Sequence, residues 1–361
     1  MMNIVYDNVI FSLQRFGGIS LVWQELLTHM IDFAHHKMLF IEYRHKENNP
    51  FRRRIDLNDR DVILKSSWLL SIKRYLNPRI TIKEPFIFHS SYFRTCSNKN
   101  AFNITTVHDF TYNYYRKGLA KWLHCWQRDR AIRHSERIVC ISENTKRDLL
   151  KFLPDVDASK VKVIYNGVSE DYYVLNNEEG INDLPFAKGK YVVFVGGRAS
   201  YKNFELVKKT VGKSKYNLVI VGSRLTRTEE IDLQKYLPKE RYCETGFLPN
   251  KDLNIVYNNA AALVYPSAYE GFGIPVIEAQ KAGCPVIAYN GSSIPEIIGE
   301  TPLLMNELTE EELLCKIEML SNSDLRKKII ADGLENAKRF SWDKMYQKYL
   351  ELYKELLNSA G

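Results

Sequence analysis

Long apolar runs are what this 361-residue sequence most clearly lacks, because its strongest, residues 191–195 and 260–265, are only five and six residues long. A helix that crosses a bilayer needs about 20 apolar residues, so we expect any membrane contact to be peripheral. The amino terminus, Met-Met-Asn-Ile-Val-Tyr-Asp, has neither a basic flank nor a sustained apolar stretch. No signal peptide or mitochondrial presequence is therefore expected, which favours a cytoplasmic protein.

Signals for disulfides and metals are also scarce. The six cysteines are scattered singly, without a Cys-x-x-Cys pair or zinc-finger spacing, so we expect free thiols, mostly buried, and no structural metal. Two Asp-x-Asp triplets, Asp59–Asp61 and Asp155–Asp157, flank loops, and we interpret them as solvated. The first strand is not followed by Gly-x-Gly-x-x-Gly, which argues against a nicotinamide-dependent dehydrogenase.

Charge is abundant but unevenly distributed. Residues 1–165 hold 27 Lys and Arg against 16 Asp and Glu, a net charge of +11, whereas residues 166–361 hold 24 against 27, a net charge of −3. A basic half can serve nucleic acid, an anionic membrane face or an acidic small molecule. We expect no nucleic acid partner, because no nucleic-acid-binding motif accompanies the charge.

One segment of the basic half favours the membrane. Residues 68–76, Trp-Leu-Leu-Ser-Ile-Lys-Arg-Tyr-Leu, lie between Lys65 and the cations Arg79 and Lys83. Aromatic residues mixed with cations are typical of an amphipathic helix that lies on an anionic surface. The alternative is an ordinary helix that packs its leucine face on a core.

Short apolar runs alternate with amphipathic stretches along the chain, which is the pattern of parallel sheets flanked by helices. At 45% hydrophobic and 26% charged residues, a chain of this length is expected to fold into two domains. We therefore predict an α/β protein with two doubly wound, Rossmann-like domains. The predicted strands are 3–6, 37–43, 61–64, 86–89, 103–107, 137–141 and 161–164 in the first half, and 191–195, 217–221, 242–244, 262–265, 285–288 and 302–305 in the second.

Two polar stretches separate the two series of strands. Asn166-Gly167-Val168 predicts a turn, and residues 176–183 are polar and predict a linker. We place the first domain at residues 1–166 and the second at residues 167–342. Ser142 and Asn203 are predicted to cap the helices that follow them. Doubly wound domains bind ligands at the carboxyl ends of their strands. We therefore expect the residues that bind substrate and catalyse the reaction on the strand-to-helix turns.

Two such turns stand out in the basic half. Gly17 and Gly18 lie between the first strand and a helix over 21–30, where bare backbone amides favour an anion; the alternative is that they only satisfy a positive φ. His108 follows the strand over 103–107 and precedes Asp109. A histidine there can hydrogen-bond a substrate hydroxyl, although such a pair can also brace a loop.

A third turn, Gly196-Gly197-Arg198-Ala199-Ser200-Tyr201-Lys202, follows the buried strand over 191–195. Exposed amides, a fork-shaped guanidinium and an ammonium together predict a site for a diphosphate. The alternative is that Arg198 and Lys202 are solvated cations of a turn.

The fourth turn carries two carboxylates. Glu270 follows the strand over 262–265, and Glu278 lies about one turn into the next helix. Between them, Gly271 and Gly273 have no side chains that would cover the backbone amides. Glu278 can accept hydrogen bonds from a ribose diol. Glu270, together with the bare amides, can bind sugar hydroxyls or a phosphate.

Residues 270–278, Glu-Gly-Phe-Gly-Ile-Pro-Val-Ile-Glu, resemble the glutamate–glycine–glutamate signature of the retaining group 1 family of GT-B glycosyltransferases. The resemblance covers nearly the whole chain. It includes Gly17-Gly18, His108-Asp109, 140–142, 166–168, 196–203, 245–247, 283–288 and Pro295-Glu296. It implies two Rossmann-like domains facing across a cleft, with an acceptor-binding first domain and a nucleotide-sugar-binding second domain. It also implies that a last helix, about 343–361, crosses back to the first domain.

The resemblance assigns roles to the matching residues. It implies a diphosphate held by Arg198 and Lys202, a ribose on Glu278, and a donor sugar against Glu270 and the amides of the glycine loop. Gly17 and Gly18 would border the donor phosphates or the acceptor, and His108 the donor sugar. The implied catalytic set is His108, Glu270, Arg198 and Lys202. The implied donor-binding set is Gly17, Gly18, Gly196, Gly197, Arg198, Lys202, Glu270, Gly271, Phe272, Gly273 and Glu278.

The function implied is transfer of a hexose, with retention of configuration, from a nucleotide-diphosphate sugar to a glycan or lipid-diphosphate-linked acceptor of a capsule or lipopolysaccharide type of polysaccharide. From the resemblance alone we expect mannose on GDP as the donor. Neither a metal nor a cofactor is expected, since Arg198 and Lys202 would stabilise the leaving diphosphate. Peripheral contact of the basic first domain with the inner face of an anionic cytoplasmic membrane fits this acceptor. The alternatives are a sugar-nucleotide epimerase of the same fold and a catalytically silent nucleotide-sugar-binding partner.

Overall fold

The computed structural model describes residues 2–33, 36–43, 49–57, 61–176 and 184–359. The chain divides into two compact units, one formed by Met1–Gly167 with Trp342–Gly361 and the other by Val168–Ser341. The division therefore lies one residue from the boundary predicted at 166/167, and the last helix groups with the first unit. Of the predicted linker 176–183, residues 177–183 lie outside the described residues.

Each unit contains one parallel sheet. The strands of the first unit are β1 (Asn3–Asp7), β2 (Lys37–Tyr43), β3 (Val62–Lys65), β4 (Phe86–Ser90), β5 (Ala101–Val107), β6 (Arg137–Cys140) and β7 (Val161–Val163). Those of the second are β8 (Tyr191–Val195), β9 (Asn217–Val221), β10 (Tyr242–Gly246), β11 (Ala262–Tyr265), β12 (Val286–Tyr289) and β13 (Leu304–Met305). All the predicted strands are confirmed, with bounds that differ by at most two residues.

The helices flank these sheets. They are α1 (Ile10–Leu13), α2 (Gly18–Phe33), α3 (Leu70–Lys73), α4 (Thr111–Tyr115), α5 (Gly118–Arg133), α6 (Glu143–Phe152), α7 (Phe204–Lys213), α8 (Arg227–Leu233), α9 (Asn250–Asn259), α10 (Ile274–Lys281), α11 (Ile294–Ile298), α12 (Glu310–Met319), α13 (Ser323–Ala337) and α14 (Trp342–Asn358). The predicted cap of α6 is confirmed, because Ser142 Oγ accepts a hydrogen bond from the Thr145 amide at 3.0 Å. Among the described residues, no helix combines the length and the apolar content that crossing a bilayer requires.

The strand order places the ends of particular strands side by side. The first sheet has the order β3-β2-β1-β4-β5-β6-β7 and the second the order β10-β9-β8-β11-β12-β13. The order reverses between β1 and β4 in the first sheet and between β8 and β11 in the second. Loops leave in opposite directions at such a point, and this opens the crevice in which doubly wound sheets bind ligands. The turns after β8 and β11 are those that carry the predicted phosphate and sugar residues.

The helix predicted over residues 68–76 is wrong in its extent. Only α3, one turn long, is helical there, because Leu69 before it adopts a left-handed φ of 57° and Asn77-Pro78 follows it, where proline disfavours a helical residue. Packing of the leucine face on a core is also wrong for most of the segment. Trp68 is 72% exposed and Leu76 58% exposed.

Candidate functional site

The two loops at the reversal point of the second sheet are joined directly. The Asn203 side-chain amide donates to the carbonyl of Pro266 at 2.8 Å, and the Ala268 amide donates to the carbonyl of Tyr201 at 2.8 Å. Asn203 is the N-cap residue of α7, as predicted, but its side chain makes no capping bond and its φ is 52°. Its polar group instead fixes the loop after β8 against the loop after β11.

Lys202 and Glu270 form an ion pair within these joined loops. Lys202 Nζ lies 2.5 Å from Glu270 Oε1 and 3.5 Å from the Tyr265 hydroxyl, and both charged side chains are largely buried. Burial by itself would lower the pKa of Lys202, but Tyr265 and Glu270 outweigh it and raise that pKa. The lysine is therefore a fixed positive charge that an incoming anion would share with Glu270.

Arg198 is the most heavily bonded of the predicted site residues. Its Nε and Nη2 donate to the Glu229 carboxylate at 2.8 and 3.1 Å, and Nη1 and Nη2 donate to the carbonyls of Ser223 and Arg224 at 2.8 and 2.9 Å. Hydrogen bonding to Arg198 lowers the pKa of Glu229 to about 2. The Arg198 side chain is 6% exposed, so the interpretation of a solvated cation is wrong. These bonds use four of the five N–H groups of the guanidinium, so within the described residues one Nη1–H is left to bind a phosphate.

Glycines allow the backbones at this sheet edge to approach one another. Gly222, which follows β9, has a φ of +136°, and a Cβ there would lie 2.8 Å from the carbonyl oxygen of Gly196. Gly273 adopts a φ of +100° at the start of α10. Gly197 faces open space, whereas Gly271 is buried with Phe272. The role of Gly222 was not predicted, although it follows a strand as Gly196 does.

Two serines that the sequence did not single out hold the glycine loop. Ser292 Oγ accepts a hydrogen bond from the Glu270 amide at 2.9 Å. The buried Ser293 Oγ lies 2.9 Å from the carbonyl oxygen of Glu270 and 3.0 Å from that of Phe272, to which it can donate. The sequence signal was the polar stretch Asn290-Gly291-Ser292-Ser293 directly after β12, since β12 is the neighbour of β11 in the sheet.

Glu278 lies on α10 in an apolar setting with two phenol partners. The Tyr257 hydroxyl donates to Glu278 Oε2 at 3.3 Å, and Tyr172 is a second hydrogen-bond partner. Burial raises the pKa of Glu278 to about 7, against the opposing effect of the two phenols. Because a carboxylate has about four acceptor positions, the ionised group retains capacity to accept both hydroxyls of a ribose.

In the first unit, Gly17 and Gly18 precede and begin α2. Neither has a positive φ, so the alternative that they only satisfy such a φ is wrong. Gly18 has open space where a Cβ would lie. Asn49, another residue that was not predicted, holds this loop by donating to the carbonyl of Gln14 at 2.8 Å and to Ser20 Oγ at 3.1 Å.

His108 follows β5, as predicted, and lines a small cavity with Trp23, Ser91 and Tyr349 among others. Burial lowers the pKa of His108 to about 4, so the imidazole is neutral at neutral pH. Asp109 has a bracing role, because its Oδ1 accepts a hydrogen bond from the Thr111 amide at 2.8 Å at the start of α4.

The Asp-x-Asp triplet Asp155–Asp157 has structural partners. Asp155 pairs with Arg133 at 2.8 Å, and Asp157 accepts a hydrogen bond from the Ser159 amide at 2.9 Å. Asp59 of the other triplet lies outside the described residues. Within the described parts of the chain, no group of three or more His, Cys, Asp or Glu could hold a metal ion. All six cysteines are free thiols.

Two protein-family models match the chain. The model of the glycosyl transferases group 1 matches residues 176–336, and that of glycosyltransferase family 4 matches residues 16–172. Each match falls almost entirely within one of the two units, and together they span most of the chain.

Relatives with curated names include two bacterial proteins. O-antigen chain mannosyltransferase B of Escherichia coli is 24% identical over 310 residues, which cover 80% of each chain. O-antigen chain mannosyltransferase RfbU of Salmonella typhimurium is 29% identical over 227 residues, which cover 60% of this chain and 61% of RfbU. The aligned region thus includes less than two thirds of RfbU.

Solved structures share the fold over nearly the whole chain. Sucrose-phosphate synthase of Thermosynechococcus elongatus has a TM-score of 0.78 at 17% identity, covering 99% of this chain and all of that one. HepE of Anabaena, in complex with UDP and glucose, has a TM-score of 0.71 at 15% identity and covers 98% and 99% of the two chains. The fold is GT-B. With both family models matched, this chain belongs to the group 1 glycosyltransferases and is a transferase.

Proposed function

We propose that the protein is a retaining hexosyltransferase that moves mannose from a nucleotide-diphosphate sugar to a glycan or lipid-diphosphate-linked acceptor in the synthesis of a cell-surface polysaccharide. The observation that carries the proposal is the placement of a buried carboxylate, Glu278, on α10, the helix that follows the loop in which Glu270 pairs with Lys202. A carboxylate that can accept hydrogen bonds from a ribose and a cation that can bind a phosphate thus lie in the same unit. The names of both bacterial mannosyltransferases support the sugar and the pathway type.

The donor diphosphate would meet a site whose cations are already paired with carboxylates. Lys202 is bonded to Glu270 and Arg198 to Glu229, so a phosphate oxygen would share each cation with its carboxylate partner. Charge that develops on the departing diphosphate is stabilised by both cations, and we expect no metal requirement. Glu270 and the loop that Ser293 holds would then contact the donor sugar, with Gly196, Gly197, Gly271, Phe272 and Gly273 forming the rest of the donor site.

The acceptor and the remaining predicted residues belong to the first unit. Gly17 and Gly18 would border the acceptor or the donor phosphates, and neutral His108 would hydrogen-bond the donor sugar. In the proposed front-face reaction, the acceptor oxygen bonds to the anomeric carbon on the side from which the diphosphate leaves, and the leaving phosphate takes the acceptor proton.

We further propose that the enzyme works peripherally at the inner face of the cytoplasmic membrane. The first half of the chain carries a net charge of +11, and residues 68–76 expose Trp68, Ile72 and Leu76. Apolar side chains among cations bind anionic bilayers. A lipid-linked acceptor would be reached from such a position.

Product analysis tests this function. The purified enzyme is incubated with UDP-, GDP-, dTDP- and ADP-sugars and a polyprenyl-diphosphate-linked glycan, with and without EDTA, and the anomeric configuration of the product is read by NMR. Transfer of an α-linked hexose from an α-configured donor, unchanged by EDTA, is expected. Interconversion of the nucleotide sugar without an acceptor would identify an epimerase, and nucleotide binding without any turnover would identify a silent partner.

A further inference from the structure

Helix α5 exposes an apolar stripe on its outer face. Leu119 is 77% exposed, Trp122 61% and Trp126 42%. Their spacing of three and four residues places them on one side of the helix. The opposite side packs inward through a mixed polar and apolar set of buried residues: Gln127, Arg128, Ala131 and Ile132. The helix therefore differs from an ordinary surface helix in exposing three large apolar side chains on the side that faces away from the core.

Cations continue the same stripe toward the carboxyl end of α5. Arg130 lies 5.7 Å from the centroid of the Trp126 ring, and Trp122 and Trp126 stack at 6.4 Å. Arg130 and Arg133 join both tryptophans in lining an open groove of about 620 Å³. Two carboxylates of this region are paired, Asp129 with Arg128 at 2.7 Å and Asp155 with Arg133 at 2.8 Å. Arg130 and Lys121, which also lines the groove, therefore leave the stripe with a positive balance.

The stripe adjoins the segment that the sequence had already pointed to. The Gln127 side chain donates to the carbonyl of Arg74 at 2.6 Å. The Tyr92 hydroxyl also accepts from Arg74 Nη2 at 3.0 Å and contacts His124 of α5 at 3.1 Å. These bonds from the inner side of α5 hold the segment 68–76 next to the helix. Both the helix and the segment expose apolar side chains among cations.

We propose that the outer face of α5, defined by Leu119, Trp122, Trp126 and Arg130, is the surface by which this protein sits on an anionic lipid bilayer. Tryptophan prefers the headgroup level, leucine the acyl boundary, and arginine the lipid phosphates. A second copy of the chain is a poorer occupant, since two such faces would bring like charges together. This inference rests on the proposed function only in that a lipid-linked acceptor gives the surface its purpose.

Flotation with vesicles tests the surface. The full chain is mixed with vesicles of phosphatidylcholine alone or of phosphatidylcholine with about 30% phosphatidylglycerol. The anionic lipid gives the second kind of vesicle a negative surface potential. We expect binding to the anionic vesicles only, and a loss of at least about tenfold in the variant Leu119→Ser, Trp122→Ser, Trp126→Ser. Ile231→Ser, at an exposed apolar residue of the second unit, is the matched control and is expected to bind as the wild type does.

Two further measurements separate the outcomes. Arg130→Glu is expected to weaken binding at low salt while leaving thermal stability unchanged, and brominated lipids are expected to quench the fluorescence of Trp122 and Trp126. The proposal is overturned if the wild-type protein does not float with anionic vesicles, or if the triple variant floats equally well. It is also overturned if the wild type is a dimer and the triple substitution makes it a monomer. Nucleotide binding, measured without lipid on the same variants, reports on the proposed function separately and is expected to be unchanged.

Discussion

The Tyr257 hydroxyl donates a hydrogen bond to Glu278 Oε2 across 3.3 Å, from helix α9 to helix α10. Both residues are buried, so the bond is shielded from water and worth more than a surface contact. It opposes the effect of burial, which raises the pKa of Glu278 to about 7. Whether Glu278 is ionised, and so able to accept hydrogen bonds from a ribose, therefore depends on Tyr257.

Tyr257→Phe is predicted to weaken nucleotide binding about tenfold at pH 7, the typical value of one hydrogen bond to a charged group. Without the phenol the pKa of Glu278 rises further, so the midpoint of affinity against pH is expected to move upward. Calorimetric titrations between pH 6 and 9 measure both effects. Tyr191→Phe is the matched control, because Tyr191 is a buried phenol of the same unit that donates to the Val256 carbonyl instead. An unshifted pH profile in Tyr257→Phe would refute the coupling.

Glu278→Gln is predicted to stabilise the unliganded protein at pH 8. The pKa of Glu278 is about 7 in the folded state against an ordinary value of 4.5, so between these values the folded state binds more protons than the unfolded state. The free energy of unfolding from this group therefore falls as pH rises through that window. Urea unfolding at pH 8 is expected to show a gain of roughly 1–3 kcal/mol in the variant.

The same comparison at pH 5 should show little difference, since wild-type Glu278 is then mostly protonated. Glu318→Gln, at an exposed residue of α12, serves as the control and is expected to change stability at neither pH. Destabilisation of Glu278→Gln at pH 8 would contradict a raised pKa at this site.

The fold was predictable because strands of a parallel sheet are buried on both faces and so appear as short, nearly continuous apolar runs. The runs at 191–195 and 217–221 match β8 and β9 without any shift. The helix over residues 68–76 was predicted wrongly because Leu69 adopts a left-handed φ. The spacing of apolar residues in a sequence does not reveal such a backbone angle. The outer face of α5 was not predicted, because the spacing of apolar residues along a helix does not show which side of the helix faces solvent.

The candidate site was predictable where one loop carries the chemistry. Glu270 and Glu278 lie in a single motif, and the structure places Glu270 in the loop after β11 and Glu278 on the helix that follows this loop. Partners that come from other elements were not predictable. Glu229, which binds Arg198, is 31 residues away along the chain, and Tyr257 is 21 residues from Glu278. Only the packing of the helices brings such pairs together.

Glu229→Gln is predicted to tighten nucleotide binding about three- to tenfold, in the range expected for one charged contact. The change releases the Arg198 guanidinium from its carboxylate partner, while glutamine still suits the capping box that Glu229 forms with Thr226. Glu230→Gln is the matched control, since the neighbouring Glu230 pairs with Lys239 and not with Arg198. Unchanged or weaker binding of GDP or UDP to Glu229→Gln would argue against a diphosphate role for Arg198.

Ser293→Ala is predicted to lower the free energy of unfolding by about 1–2 kcal/mol, because the one hydroxyl donor shared by the carbonyls of Glu270 and Phe272 is lost. The loop from Glu270 to Gly273 loses its fixed shape at the same time, so nucleotide-sugar affinity should fall further than affinity for the free nucleotide. Urea unfolding and paired titrations with each ligand measure this. The exposed Ser321→Ala is expected to behave as the wild type, and equal losses for both ligands would place Ser293 outside the sugar site.

The central claim is that the second unit binds a nucleotide-diphosphate sugar through Glu278. Isothermal titration calorimetry of the purified chain with GDP, UDP, dTDP and ADP and with their sugars, in the presence and absence of EDTA, tests it most directly. The account predicts that one nucleotide class binds at one site per chain, that EDTA has no effect, and that Glu278→Gln weakens binding at least about tenfold. Absence of binding by every nucleotide, or equal binding by wild type and Glu278→Gln, would contradict it.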